Sequence, residues 1–501
     1  MGGISYASPR GRGVLLATIL ASGVAFLDAT IVNVALPAIG HSLAIGLAGL
    51  QWTVDAYLLT LTAFLLPAGA LADRFGRRRV FVLGLVSFAA SSALCGLAPG
   101  ARSLVAARAL QGLAAAMLVP GSLAILRASF RPEDAGRAIG VWAALSGVTT
   151  AIGPLAGGWL AGAVTWRAIF FVNAPLAAVA VVAALRCVPE SRDPERRSVD
   201  LAGAALAAAG LGGVVFALIE ARARNGPAPL LAAAAGTGAL AAFLALESRR
   251  RDPMLPLSLF RERAFSAVNA ITLVVYFALG GASFLAVLQL QVELGWSPLA
   301  AGGALLPLTL LLLVLSPLAG RLAGRTGAWP LLTAGPLVCA AGLALLAGVG
   351  PGAGYARDVL PGVVALGVGL GLTVAPLTTT VLEAAPPERA GIASAVNNAV
   401  ARLAALLAVA VLPLAGGLAG SGLPEGALGA GYRRAMMLAA LLASVGGLVA
   451  LATLRPTAAR GASAPGGAPA EARRARSPAR GRRTPPGRPA RGAPRGPPPR
   501  G

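Results

Sequence analysis

The chain has 501 residues, of which 56% are hydrophobic and 12% charged, and its mean hydropathy is +0.76. A soluble domain must build a large polar surface, so this composition excludes a water-soluble globule and assigns the chain to a bilayer. The formal charge of +23 rests on 42 arginines without a single lysine, which also excludes the lysine-bearing phosphate loop of an ATP-driven pump.

Apolar stretches of about 20 residues, the length a helix needs to cross the hydrocarbon core, recur near 14–36, 50–71, 80–98, 103–126, 137–160, 168–185, 201–219, 229–246, 266–290, 299–320, 330–349, 359–382, 393–419 and 435–454. Fourteen spans put both termini on one side. Leaving out the tail, the connections on that side hold 21 arginines against 7 on the other, and the positive-inside bias predicts cytoplasmic termini in a plasma-membrane protein. Cations confined to short loops argue against a nucleic-acid partner. Arg10 and Arg12 ahead of an apolar run imitate a secretory signal, but Asp28 interrupts that run, so it reads as an uncleaved first span.

The first span contains LDATIVNVALP (27–37), with Asp28 and Asn33 in an otherwise apolar segment. Arg108, in the fourth span, lies at a similar depth: at about 1.5 Å rise per residue both groups fall roughly 10 Å below the outer edge of the core. Intramembrane ionisable groups are functional by default, although a static pair joining two helices is the plainer alternative. A nearby guanidinium favours the ionised carboxylate and its withdrawal favours the protonated acid. Movement of Arg108 relative to Asp28 would therefore switch the carboxyl between releasing and holding a proton.

The second span opens with QWTVDAYLL (51–59), where Asp55 is expected to face water near the outer end; turned inward, it would offer a second acid. The loop after it, GALADRFGRRR (69–79), supplies turn glycines (Gly69, Gly76), Arg74, and Asp73 positioned to stabilise a helix N-terminus, whereas Arg77, Arg78 and Arg79 need nothing beyond positive-inside orientation. Within a turn of Arg108, Gln111 offers a polar partner and Gly112 a flat surface for close helix approach. In the fifth span, GPLAGG (153–158) predicts a kink at Pro154 and tight packing through Gly153, Gly157 and Gly158. Asn33, Trp52, Asn173, Gln289, Gln291, Asn397 and Asn398, with Gln111 and an inward Asp55, are candidate polar groups of a substrate cavity. Apolar walls with few polar anchors suit amphiphilic organic ligands.

Cys95, Cys187 and Cys339 stand singly, and the lone His41 falls in an outer loop, so neither a metal site nor a cofactor is expected. The absence of a nucleophile–base constellation argues against an enzyme.

GALADRFG (69–76) returns as GRLAGRTG (320–327) with five of eight positions identical at an offset of 251, and Glu133, Ala135, Gly136 and Ala138 return as Glu388, Ala390, Gly391 and Ala393 at an offset of 255. Two nearly equal offsets indicate duplication with a period of eight helices. The predicted fold is all-α: two six-helix bundles (14–190 and 259–454) with two helices inserted between them (191–258), as expected when two halves rock about a midplane site. Residues 1–13 form a short cytoplasmic lead. From 455 onward the chain holds twelve arginines, eleven prolines and one acid, a composition expected to be disordered and able to touch anionic lipid headgroups.

Five motifs in order, LDATIVNVALP, GALADRFGRRR, LVAARALQGLAAA (104–116), GPLAGG and WRAIFFVNAPL (166–176), resemble the fourteen-span drug/proton antiporter branch of the major facilitator superfamily, over about residues 14–454. The resemblance implies a relay role for Asp28 and Arg108, an interdomain latch at Asp73, and an association of GPLAGG with antiport. The thirteenth span departs from the pattern: where the family carries Arg-Gln and then Gly-Gly, this chain has Ala401, Arg402, Ala404 and Ala405, which moves the cation about 100° around the helix. The expected function is proton-coupled export of drug-like amphiphiles by a monomer. The alternatives are a same-fold transporter of one natural product or lipid and a non-transporting membrane sensor.

Overall fold

The computed structural model describes residues 3–192, 200–221, 226–250, 253–386, 389–418 and 428–454. The arginine-rich tail with its lipid-contact expectation, and Glu388 of the second echo, lie outside the described residues. All fourteen expected spans are helical: α1 (Pro9–Leu43), α2 (Leu47–Phe75), α3 (Arg77–Gly96), α4 (Ala101–Ser129), α5 (Pro132–Ala163), α6 (Ala168–Cys187), α7 (Leu201–Glu220), α8 (Ala228–Arg249), α9 (Arg263–Glu293), α10 (Pro298–Thr326), α11 (Trp329–Leu346), α12 (Tyr355–Glu383), α13 (Ala390–Gly416) and α14 (Leu428–Thr453).

Local chemistry sets the ends and breaks. Ser8 starts α1 by accepting from the Gly11 amide at 3.0 Å, with Pro9 in the first turn where its missing N–H costs nothing. At the other end α1 runs on to Leu43 and closes at Ala44, where backbone N–H groups turn back to the Gly40 and His41 carbonyls, so His41 lies in the last turn of α1 rather than in a loop. The helical path of α4 is interrupted at Met117 and Leu118, ahead of Pro120, and that of α10 at Leu305, ahead of Pro307. In contrast, α5 runs through Pro154 as one helix of 32 residues.

The packing repeats with the predicted period. In one bundle α1 contacts α5 and α6, α4 contacts α2 and α3, and α3 contacts α6; in the other α9 contacts α13 and α14, α12 contacts α10 and α11, and α11 contacts α14. Every pair has its counterpart eight helices on. The inserted helices α7 and α8 approach closely through Gly210, Gly213 and Gly236, where an added Cβ would meet the opposing backbone or side chain at 2.7–2.8 Å. Their connection to the bundles runs from α7 to α2 and α13. Large apolar side chains such as Leu185, Leu231 and Leu441 are exposed, as the hydrocarbon-facing surface of a membrane protein requires.

The N-terminal segment is tied to the α4–α5 connection by Ile4 N–H to Ser129 O at 2.8 Å and by Tyr6 N–H to Asp134 Oδ2 at 2.9 Å. This marks one membrane face, called here the near face. At the opposite, far face the bundles meet: Gln51 of α2 donates to Val409 O of α13 at 2.7 Å, and Gln291 of α9 donates to Val34 O of α1 at 2.9 Å. Gly158 of α5 abuts the backbone of Pro298 and Leu299, and Gly302 of α10 abuts the Pro154 carbonyl. Toward the near face the bundles part around a cavity of about 1180 Å³, walled by α2, α4, α13 and Trp142 of α5, and at its mouth by Asp200, the end of α8 and residues 253–261.

Candidate functional site

Five helices of the first bundle converge on one buried polar cluster. Asp28, Arg108, Gln111 and Asn173 are each at most 1% exposed. Arg108 Nη1 donates to Asp28 Oδ2 and, at 2.7 Å, to Gln111 Oε1, while its Nε donates to the Thr53 carbonyl at 3.0 Å. Asp28 Oδ1 accepts from Gln111 Nε2 at 2.8 Å and from Asn173 Nδ2 at 3.1 Å. Asn173 reaches Ser92 of α3 at 3.0 Å, and Ser92 donates on to the Phe170 carbonyl at 2.8 Å. Beneath the guanidinium lies the Tyr57 ring, 4.3 Å from Cζ to centroid, with Phe170 at 5.9 Å.

Two charges this deep cost several kcal/mol each to desolvate, and such a pair persists only where the remaining lone pairs and protons are met. Here both carboxylate oxygens are. Gly112 makes the arrangement possible: an added Cβ would strike the Tyr57 carbonyl and Thr60 Oγ1, and the close approach lets Thr60 donate to Ala109 O at 2.8 Å. Cys95 lends its thiol to Gln111 Oε1 at 3.6 Å.

Asp55 is a correction. It does not face water: it is wholly buried on the Gln51 face of α2, and neither carboxylate oxygen has a hydrogen-bond partner. The apolar far-face seam closes over the end of α2, which the sequence could not register. Asp55 does not reach the cavity either.

The other cavity candidates mostly serve helix contacts. Trp52 donates to Glu220 of α7 at 3.1 Å and packs on Phe216, fastening the inserted pair. Asn33 turns back on Ala29 O, at 3.4 Å. Gln289 donates to Val349 O at 3.1 Å, and Gln291 belongs to the far-face seam. Asn397 spans to α9 through Asn269 at 3.1 Å and Thr272 at 2.7 Å. Of the nine, Asn398 lines the cavity, together with Leu65, Val119 and Trp142. The physical reason is common to the amides: in a dry helix interface an amide finds a carbonyl or a hydroxyl before it finds water.

At the near face Asp73 lines the cavity mouth and pairs with Arg77 at 2.8 Å, within its own bundle rather than with the other. Arg74 rests over Phe75, with Cζ 5.5 Å from the ring centroid. Gly76 has φ +114°, a left-handed backbone that favours glycine, and a Cβ there would also meet Glu190. Glu190, which the sequence reading overlooked, accepts from the Arg78 amide at 3.1 Å and lies within 3.9 Å of the Arg78 and Arg79 guanidinium groups. Gly69 meets nothing within 4 Å.

The GPLAGG stretch works as two faces. Gly153 and Gly157 admit Thr30 and Ile31 of α1, while Pro154 and Gly158 face α10. In the second bundle α13 carries alanines, and the glycines stand across the interface: Gly280 and Gly281 of α9 receive Ala405, Ala408 and Leu412, so the contact stays close.

A duplicated helical scaffold, a cavity between its halves and a buried charged cluster within the first bundle define a multi-pass membrane transporter. The sequence matches the Major Facilitator Superfamily over residues 18–409, and the chain belongs to that superfamily. It is 38% identical over 409 residues to the multidrug resistance protein Stp of Mycobacterium tuberculosis, covering 79% of this chain and 74% of that protein. It is 36% identical over 401 residues to the tetracenomycin C resistance and export protein of Streptomyces glaucescens, with coverage of 79% and 74%. In fold it is similar to a bacterial homologue of the human lysosomal transporter Spinster crystallised in an inward-facing, unoccupied conformation, at a TM-score of 0.65 and 18% identity over 89% of this chain and 98% of that one.

Proposed function

We propose that the chain is a proton-driven exporter of amphiphilic organic molecules that works by alternating access, with Asp28 carrying the proton and Arg108 setting when it is held. The observation that carries this reading is the Asp28 carboxylate itself, sealed from water, with both oxygens engaged and one guanidinium against it. Its geometry supports a deprotonated, ion-paired state in a conformer whose cavity opens on the near face. Arginine bias makes that face cytoplasmic.

A cycle follows. The near-face-open state takes substrate while Asp28 is ionised; reorientation draws the Asp28 helix away from Arg108, and the isolated carboxyl then takes a proton from outside. Return to the paired state discharges that proton inward. The names of the related resistance and export proteins support the outward direction and the organic substrate class. One proton moving down one pH unit supplies about 1.4 kcal/mol, and a 100 mV potential adds about 2.3, enough to hold a neutral ligand at a gradient of several hundredfold.

The test is efflux of cationic, neutral and anionic dyes from cells and inside-out vesicles energised by a pH gradient. Uphill movement lost in Asp28→Asn and Arg108→Ala, with the proteins still folded, is the expected result; unchanged uphill movement in Asp28→Asn rejects the proton role. A sensor that transports nothing gives no dye-coupled proton flux in the parent protein.

A further inference from the structure

We infer that the space between the bundles just beyond the blind end of the cavity is built for an anion, and that the exported molecules are ring-bearing acids recognised by Arg402. The inference rests on the export reading above and narrows its substrate class.

Arg402 lies four residues beyond Asn398, so it occupies the same face of α13 one turn deeper than the cavity's last α13 contact. Its guanidinium crosses to the other bundle, where Cζ stands 5.7 Å from the centroid of Phe26, a half-buried residue of α1. The cation therefore sits between the two bundles, one turn of α13 beyond the cavity's lining and below the Gln51–Val409 seam.

Arg108 and Arg402 differ sharply in what they touch. Arg108 has a carboxylate, a carbonyl, an amide and an aromatic face. Among the described residues Arg402 has no carboxylate and no hydrogen-bond acceptor, and its guanidinium faces the Phe26 ring. A guanidinium presents five donors in a fork that matches a carboxylate or sulfonate in two-point fashion. A half-buried guanidinium with those donors unspent is a binding site for such a group.

The acids nearby cannot serve a cation instead. Asp28 is sealed and paired, Asp55 is wholly buried, and at the mouth Asp73 and Asp200 are engaged by Arg77 and Arg250; Glu247, the remaining lining acid, accepts from the Leu255 amide at 2.6 Å, keeps Oε1 unpartnered and lies at the near-face end of α8, away from Arg402. A cationic ligand would meet Arg402 at close range with nothing to offset the repulsion. The walls contributed by Leu65, Val119 and Trp142, with Phe26 beside the guanidinium, favour a flat apolar body behind the acid group. One consequence concerns the driving force: exchanging an anion for an incoming proton moves two charges, so the membrane potential acts on export twice over.

The test uses purified full-length protein in nanodiscs without any gradient, titrated with 1-pyrenebutyrate, 1-pyrenebutanol and 1-pyrenebutylamine, which share ring and chain and differ in charge. Energy transfer from tryptophan reads binding, with empty nanodiscs subtracted. The butyrate is expected to bind at least tenfold tighter than the alcohol, with the amine weakest; Arg402→Gln is expected to erase that order and Arg402→Lys to keep it. Equal or tighter binding of the amine, or an unchanged order in Arg402→Gln, overturns the inference. The order of the three ligands on the parent protein decides the matter even if a variant does not fold. Decanoate displacing pyrenebutyrate at equal or lower concentration would assign the site to a lipid chain and sink the ring-bearing class. Because no proton gradient is present, failure here is separate from failure of the export reading, which turns on Asp28→Asn.

Discussion

At Asp28 the chain balances one carboxylate against a single guanidinium and two amides, and the balance predicts how substitutions fall. Arg108→Ala leaves a buried carboxylate without its cation, and removing one member of such a pair costs about 3–5 kcal/mol. The expected result is a clear drop in thermal midpoint, most of it recovered when Asp28→Asn is combined with Arg108→Gln, since the uncompensated charge is then gone. Recovery of stability without recovery of uphill transport separates packing from proton carriage. Asp55 makes a contrasting case: with neither oxygen partnered, no hydrogen bond is lost in Asp55→Asn, which is expected to leave stability nearly unchanged. Reversal-potential measurements should give one proton per cycle both with and without Asp55; two in the parent and one in the variant would make Asp55 a second carrier. Asp28 and Arg108 could be matched in depth from sequence because helix rise is fixed. The Thr53 carbonyl, Tyr57, Ser92 and Phe170 could not, because nothing in a single apolar helix says which neighbour its face will meet.

Helices meet here through missing side chains. Gly112 brings α4 against the α2 backbone, and a Cβ there would strike the Tyr57 carbonyl, which is backbone and cannot swing aside. Gly112→Val is expected to destabilise the first bundle by about 1–3 kcal/mol and abolish transport by moving Arg108 off Asp28. Gly158 tests a different property, because its close neighbours, Pro298 and Leu299, belong to the other bundle. Gly158→Ala is expected to loosen the far-face seam and shift the population toward a far-face-open state. Longer distances by electron–electron resonance between labels on the far ends of α5 and α10 would show this, and an unchanged distribution would count against the seam. The motif GPLAGG advertised tight packing in the sequence, but its division between α1 and α10 was legible only once both partners were in place. The compensation of the α13 alanines by Gly280 and Gly281 was equally hidden, since it depends on a residue over a hundred positions away.

Across the molecule, duplication organises everything: each packing pair has its counterpart eight helices on, and the cavity lies where the halves face each other. That much was readable beforehand, because span length is set by bilayer thickness and a repeat leaves matching loops at matching offsets. The cavity lining was not readable, because amides such as Gln289 and Asn397 hold helices together, while Arg402 of α13 stands between the bundles one turn beyond the lining. The account as a whole depends on coupling through the buried pair. Its most direct test is simultaneous recording of internal pH and dye movement in liposomes holding the parent protein or Asp28→Asn, with an imposed pH gradient. The account predicts that adding substrate to the parent starts a proton flux in fixed ratio to the dye moved, and that Asp28→Asn still binds dye but moves neither uphill. Substrate-linked proton flux persisting in Asp28→Asn would contradict it.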